Sequence, residues 1–201
     1  VAGVCVLLLI TTAISAFAVD LGAARPDPVP FEDTVKLGVT EEIEQAAEHR
    51  DASIPRVEVF YSQYRYVVGY AGVAQAVSAL DEPGREQQFG YPLAIYASDY
   101  AGRSPRCANG TLQTDTNPDW VSVTDAQFVV GSRAAVSGES VVVPFSDAGD
   151  AQRFAAGCGG RVVGWADLRR DPPTVTRAGG VKSGLDDRRA SADRRVAAAE
   201  T

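Results

Sequence analysis

The 201-residue sequence has few of the side chains that usually build metal sites, with no methionine, one histidine (His49) and three cysteines. A single histidine excludes every site that needs two imidazole ligands. Cys5, Cys107 and Cys158 do not make a zinc pattern, because no two of them have the close spacing of tetrahedral zinc sites. If the body of the chain is exported, Cys107 and Cys158 can instead pair as a disulfide.

Positive charge and catalytic motifs are also scarce. The chain holds 19 Lys and Arg against 26 Asp and Glu, a formal net charge of −7. Nucleic-acid partners need clustered Lys and Arg on the surface, so we expect none here. The sequence also lacks a phosphate-cradling glycine loop, a nucleophile-elbow serine with its histidine and aspartate, and a spaced pair of catalytic carboxylates. These absences predict a protein that is not an enzyme.

What is present begins with an apolar run. Residues 1–19 (VAGVCVLLLITTAISAFAV) carry no charge and nearly reach the ~20 residues that a membrane-spanning helix needs. The ending Ala16-Phe17-Ala18 favours a cleaved export signal, whereas the length of the run favours an uncleaved anchor, and both alternatives stay open. We expect a protein of the cell membrane whose body faces the extracytoplasmic side.

Two further segments look separate from the core. Residues 20–56 begin with a proline-rich spacer and contain one short predicted helix at 40–50, so we interpret them as a linker. Residues 169–201 have few large apolar side chains and mixed charge, which is typical of a disordered tail. The folded domain is therefore expected at 57–168.

One order of secondary-structure elements occurs twice along this domain. Its first half predicts two strands, VEVFY (57–61) and RYVVGY (65–70). Apolar residues at i, i+3, i+4 and i+7 from Val73 to Leu80 then predict one face of a helix. PLAIYASDY (92–100) predicts a third strand, which makes the order ββαβ.

The second half repeats this order. AQFVVGS (126–132) and SVVVPF (140–145) predict strands, an apolar face over 148–155 predicts a helix, and RVVGWADL (161–168) predicts the last strand. Neither half alone buries enough apolar surface for independent stability. We therefore predict an α+β fold in which two tandem ββαβ units form one domain behind an N-terminal transmembrane or signal helix. Chance similarity of two common patterns is the alternative.

Several side chains of the domain have a functional interpretation beside a structural one. Cys158 lies among glycines after the second helix, where a turn or disulfide role is favoured over a reactive thiol, because no base is near in sequence. Asp99 and Tyr100 end a strand, either as a surface for a partner or as a carboxylate that caps backbone amides beside a packed tyrosine.

Asn109 starts an Asn-Gly-Thr triplet that predicts a surface glycan in an exported protein. Core and cross-strand contacts, rather than a ligand cage, are expected of Tyr61, Tyr64, Tyr66 and Tyr70.

The domain contains, in this order, the segments YPLAIYASDY, AQFVVGS and VVVPFSDAGDAQRFAAGCGGRVVGWADL. The order and spacing of these three segments resemble the nitrous oxide reductase accessory protein family, NosL. The resemblance covers roughly residues 57–168 and is strongest in the second half. The positions that match the family's motifs are Asp99, Tyr100, Pro144, Phe145, Gly159 and Gly160. The resemblance implies a membrane-tethered, extracytoplasmic α+β protein that assists copper-site maturation of nitrous oxide reductase, with that enzyme or its assembly proteins as partners.

The family's copper ligands do not carry over to this sequence. The resemblance implies that Cu(I) binds at an N-terminal Cys-Gly-Met motif and at a Met-Gly motif before the Pro-Phe strand. Soft sulfur donors of this kind suit Cu(I). Here no Cys-Gly-Met precedes the domain, and Ser137-Gly138 stands at the Met-Gly position. A copper site from His49, Cys107 and Cys158 is an alternative that their spacing does not favour. The metal ligands are therefore unknown, and a protein-interaction or structural module that binds no metal is the second functional expectation.

Overall fold

The computed structural model describes residues 25–37, 41–49, 51–63 and 67–173. The predicted anchor or signal at 1–19 lies outside these residues, as do Tyr64, Tyr66 and nearly all of the predicted tail. None of the helices in the described ranges combines the length and the apolar character that a bilayer crossing requires.

The described residues form a mixed α+β fold, the class that the sequence predicts. In chain order its elements are β1 (Val35–Leu37), α1 (Glu41–Glu48), β2 (Val57–Tyr61), β3 (Val67–Tyr70), α2 (Val73–Leu80), α3 (Arg85–Phe89), β4 (Pro92–Asp99), β5 (Arg106–Ala108), β6 (Thr111–Gln113), β7 (Asp119–Ser122), β8 (Gln127–Val130), β9 (Ala135–Val136), β10 (Glu139–Ser140), β11 (Val143–Phe145), α4 (Ala148–Cys158), β12 (Arg161–Gly164) and α5 (Trp165–Arg170). The strands form three sheets, with the orders β1-β3-β2-β4-β7, β10-β9-β6-β5 and β11-β8-β12. β1 runs parallel to β3, and β6 runs parallel to β9.

Strand β8 connects two apolar cores because it is buried on both faces. Side chains alternate along a strand, and Phe128 and Val130 join the core that contains β2, β3 and α2 residues. Val129, between them, joins a second core that contains Phe145 and Phe154. The five-stranded sheet and helix α4 therefore pack on the three-stranded sheet from opposite sides.

Part of the predicted linker belongs to the fold. Strand β1 pairs with β3 at the edge of the five-stranded sheet. Phe31, in a 3-10 turn just before it, is only 4% exposed, and Ile54 is buried as well. Residues of the predicted linker thus contribute a strand and buried side chains.

Two predicted elements have the same bounds in the structure, the strand Val57–Tyr61 and the helix Val73–Leu80. The strand predicted at 140–145 is wrong as a single element, since it forms two short strands in different sheets. Ser140 pairs with Ala135 in the β9–β10 hairpin, whereas β11 pairs with β8. The two turn residues between β9 and β10 both have positive φ, 51° and 84°, the geometry of a tight hairpin. Pairing within this hairpin therefore removes Ser140 from the longer strand.

The strand predicted at 161–168 is also wrong in its second half, where Trp165 begins helix α5. The Trp165 ring contacts Phe128, with ring centroids 5.7 Å apart. Leu168, about one helical turn later, is 2% exposed in the same core. Both side chains reach the core from a helix, because residues three apart share a helical face. Helix α5 runs beyond the predicted end of the domain.

We expect Gly160→Ala to lower the free energy of unfolding by about 2–4 kcal/mol. Gly160 has φ +98°, and a Cβ there would lie 2.6 Å from the carbonyl oxygen of Val130 and 2.9 Å from the backbone nitrogen of Ser132. Both contacts are with backbone, so the chain would have to shift. Urea unfolding measures the change.

Gly157→Ala is the matched control, because a Cβ at this helical position meets no atom within 4 Å. It should leave stability unchanged or raise it by up to about 1 kcal/mol. Equal losses in the two variants would contradict the backbone clash.

Candidate functional site

An open cavity of about 530 Å³ lies where α4 meets β5. A disulfide between Cys107 of β5 and Cys158 forms part of its wall. The two Cα atoms are 5.8 Å apart, across 51 residues of sequence. Cys158, which the glycine pattern places in the turn after the helix, is the last residue of α4. Other residues that line the cavity include Ser104, Pro105, Arg106, Asp150, Arg153 and Phe154.

Helix α4 is fixed at both ends, independently of the disulfide. At its start, Asp147 Oδ1 accepts a hydrogen bond of 2.8 Å from the backbone N–H of Asp150, which is an N-cap. At its end, Gly159 adopts φ +80° and stops the helix. The backbone N–H of Arg133 donates to the Cys158 carbonyl at 2.9 Å. The Arg133 guanidinium donates to the Gly157 carbonyl at 2.8 Å. The position of Cys158 is therefore set by the helix end.

Asp99 and Tyr100, at the end of β4, connect this strand to the second half of the chain. The Asp99 carboxylate accepts hydrogen bonds from the backbone N–H groups of Ala101 at 3.0 Å and Ser146 at 2.8 Å. Tyr100 is fully buried, with its hydroxyl 2.8 Å from the Ser53 Oγ. Burial raises the pKa of Tyr100 above the ordinary value of tyrosine. The contacts favour the capping and packing interpretation of this pair over a partner surface.

The other positions that match family motifs also make contacts within the scaffold. The Pro144 carbonyl accepts the backbone N–H of Tyr100 at 3.1 Å. Phe145 is fully buried, with its ring centroid 6.4 Å from that of Tyr100. Gly159 and Gly160 have φ of 80° and 98° and carry the chain from α4 into β12. These positive φ values favour glycine.

Charged side chains around the cavity are paired with one another. Arg106 donates to Asp115 at 2.5 Å, and this hydrogen bond raises the pKa of Arg106 above its usual value. Arg153 pairs with Asp150, which also accepts the backbone N–H of Gly102 at 2.8 Å. Asp150 therefore connects the loop before β5 to α4. Exposed ion pairs of this kind contribute little stability each.

Within the described ranges, no three His, Cys, Asp or Glu side chains are arranged to hold a metal ion. His49 is exposed just after α1, and Cys107 and Cys158 are bonded to each other. The alternative copper site from these three residues is therefore not formed, since a thiolate, not a disulfide, is the metal ligand. Ser137, at the position where the resemblance implies methionine, lies exposed in the β9–β10 turn. Cys5 lies outside the described residues.

Asn109 lies exposed in the two-residue turn between β5 and β6. Asn109 and Gly110 have φ of 53° and 78°. The Asn-Gly pair is a strong hairpin signal, and it marks a hairpin that the strand pattern alone does not predict. Glycosylation of Asn109 stays a prediction.

Glu58, the second residue of β2, is unusual because its acidic side chain is fully buried. Its Oε2 accepts the backbone N–H of Val29 at 3.2 Å, and its Oε1 has no hydrogen-bond partner among the described residues. Burial raises the pKa of Glu58 to about 7. Sequence reasoning missed this residue, although a lone acidic side chain within the apolar segment VEVFY is a signal that could have found it.

Residues 25–34, here called the N-terminal strap, cover the sheet face that carries this carboxylate. The Tyr96 hydroxyl donates to the Pro26 carbonyl at 2.7 Å. Gly69 of β3 lies directly across from Glu58 of β2, and a Cβ on Gly69 would lie 2.7 Å from the Phe31 ring. The strap therefore packs closely on the sheet, and it excludes water from the buried acid.

One solved structure has a fold that agrees with this architecture. The crystal structure of the copper chaperone NosL from Shewanella denitrificans matches with a TM-score of 0.52 at 15% identity, over 72% of this chain and 96% of that chain. The solution structure of the apo-NosL protein from Achromobacter cycloclastes matches with a TM-score of 0.39 at 22% identity, over 64% and 93% of the two chains. At 15% identity, the similarity to the crystal structure concerns the fold alone.

The family assignment comes from the sequence itself. The NosL family model matches residues 50–172, and the chain belongs to the NosL family. No curated protein sequence matches the chain. The family range includes both cysteines of the disulfide, the capped helix α4 and the buried acid in β2.

We expect the stability of the protein to fall as pH rises, through the titration of Glu58. Its folded pKa of about 7 lies above the ordinary value of 4.5, so the native state holds this proton more tightly than the unfolded chain. The resulting stabilisation is fully present below the unfolded pKa and is lost as pH rises through the folded pKa, by ~3 kcal/mol in total.

Urea unfolding of the wild type and of Glu58→Gln between about pH 5 and pH 8 measures this effect. The glutamine keeps a carbonyl acceptor for the Val29 N–H but cannot titrate. The stability of the glutamine variant should therefore fall less than that of the wild type between about pH 5 and pH 8, by about 2.5 kcal/mol, because part of the total change lies outside this range. Parallel pH profiles for the two proteins would show that Glu58 is not the titrating group.

Proposed function

We propose that the chain is a membrane-anchored, extracytoplasmic accessory protein of the NosL type that assists copper-site maturation of nitrous oxide reductase. The observation that carries this proposal is the NosL family match over residues 50–172. The fold supports it, because a solved structure of similar fold is described as a copper chaperone. The role is contact and delivery rather than catalysis.

The disulfide supports the extracytoplasmic location. Cys107 and Cys158 form an S–S bond, and such bonds persist in oxidising compartments but are rare in the cytosol. The apolar run at 1–19 would supply the anchor or the export signal. Asn109 is exposed and would be open to glycosylation in the same compartment.

We also propose that the domain contains an internal repeat. Elements β2, β3, α2 and β4 occur in this order, with the short helix α3 inserted before β4, and β2 lies between β3 and β4 in its sheet. Elements β8, β11, α4 and β12 have the same order, with β8 between β11 and β12 and with the β9–β10 hairpin inserted. Equal order and equal strand adjacency support two ββαβ units.

A second candidate function is a protein-interaction or structural module that binds no metal. The chain has no methionine, and both cysteines of the described residues form one disulfide. The sulfur donors that suit Cu(I) are therefore not free in this part of the chain. In this alternative, the fold serves contact with a partner alone.

Deleting the gene in its host should leave nitrous oxide reductase with a small fraction of its normal copper, while the amount of reductase polypeptide stays unchanged. The reason is that the proposed role supplies copper and not the polypeptide. Metal analysis of the purified reductase and its specific activity measure the effect, and a reintroduced wild-type gene is the control. Full copper loading in the deletion strain, or a host genome without such a reductase, would contradict the copper-maturation role. Either result would favour the interaction module that binds no metal.

A further inference from the structure

Cys107 and Cys158 carry all the sulfur of the described residues, since methionine is absent from the whole chain. Cu(I) prefers soft thiolate and thioether donors. If the folded domain carries copper on its own sulfur, this pair has to supply it. The inference rests on the copper role proposed above.

The cavity beside the disulfide makes the pair reachable. Cys107 is half-buried and Cys158 is 6% exposed, and both face the open space of about 530 Å³. Thiol–disulfide exchange requires a thiolate to reach one of the two sulfurs directly. Cys158 also packs in the second core, so the half-buried Cys107 is the residue that a thiolate reaches first.

The surroundings of the pair are held by contacts other than the S–S bond. The Asp147 cap and the Arg133 hydrogen bonds fix α4, and Phe154 anchors the same helix in the core. Strand β5 is only three residues long and lies at the edge of its sheet, paired with β6 alone. These contacts would hold Cys158 in place after reduction, and the edge strand would allow Cys107 to adjust.

We propose that Cys107 and Cys158 form a redox-gated Cu(I) site. A dithiol reductant delivers two electrons and two protons, so that the S–S bond breaks, two thiols form and the reductant becomes a disulfide. Cu(I) then binds both sulfurs and releases the two protons, with no change in the oxidation state of copper. With Cα atoms 5.8 Å apart, the two sulfurs can reach one ion. The oxidised pair does not bind Cu(I).

The test uses the full chain with Cys5→Ser, so that this pair is the sole source of sulfur. The protein is reduced with dithiothreitol, freed of reductant without air, and titrated with Cu(I) in competition with bicinchoninate. The oxidised protein, of the same sequence, is the control. We expect the reduced form to bind a single Cu(I) at least about 100-fold more tightly than the oxidised form, with thiolate-to-copper absorption in the ultraviolet.

Two single variants, Cys107→Ser and Cys158→Ser in the same background, should each lose the tight binding, since one sulfur of the pair is gone. Loss of the disulfide lowers the stability of the fold, so far-ultraviolet circular dichroism must accompany every titration. Equal affinity of the oxidised and reduced forms would overturn the proposal. So would a reduced protein that has lost its fold.

Failure of this site is distinguishable from failure of the proposed function. If the reduced chain does not bind Cu(I) while the deletion strain still lacks copper-loaded reductase, the assignment of Cys107 and Cys158 is overturned and the accessory role stands. If the reduced pair binds Cu(I) but the deletion strain has a fully loaded reductase, the site stands and the accessory role falls.

Discussion

The burial of strand β8 on both faces is the constraint on which the rest of the structure depends. Phe128 and Val130 point into one core and Val129 into the other, because neighbouring side chains of a strand alternate. A β8 with a solvent face would leave one half of the domain without a packing partner. Helix α4 packs against β8, β11 and β12, so the end of this helix, where Cys158 lies, depends on the same strand.

The sequence predicts best those elements whose pattern fits only one structure. The strand at 57–61 and the helix at 73–80 have dense local signals, and their bounds agree with the structure. Where a pattern fits two structures, contacts distant in sequence decide between them. Ser140 joins the β9–β10 hairpin because Ala135 is available to pair with it. Trp165 begins a helix because the residue one turn later reaches the core.

The candidate site could be predicted only in part, since spacing along a chain contains no distances. Pairing of Cys107 with Cys158 was one alternative among several, and only the meeting of β5 with the end of α4 brings them together. The second amide that Asp99 caps, that of Ser146, lies 47 residues away. The burial of Glu58 depends on the N-terminal strap, which the proline pattern alone assigns to a spacer.

The N-terminal strap also limits how far the folded domain can lie from the apolar run at residues 1–19. Pro26 is already hydrogen-bonded to Tyr96 of the sheet, so residues 20–25 alone separate the apolar run from the body. An extended chain spans about 3.5 Å per residue, which gives these residues a reach of about 20 Å. If the apolar run is anchored in a bilayer, the domain stays within about this distance of it, and any partner has to meet the domain near the membrane surface.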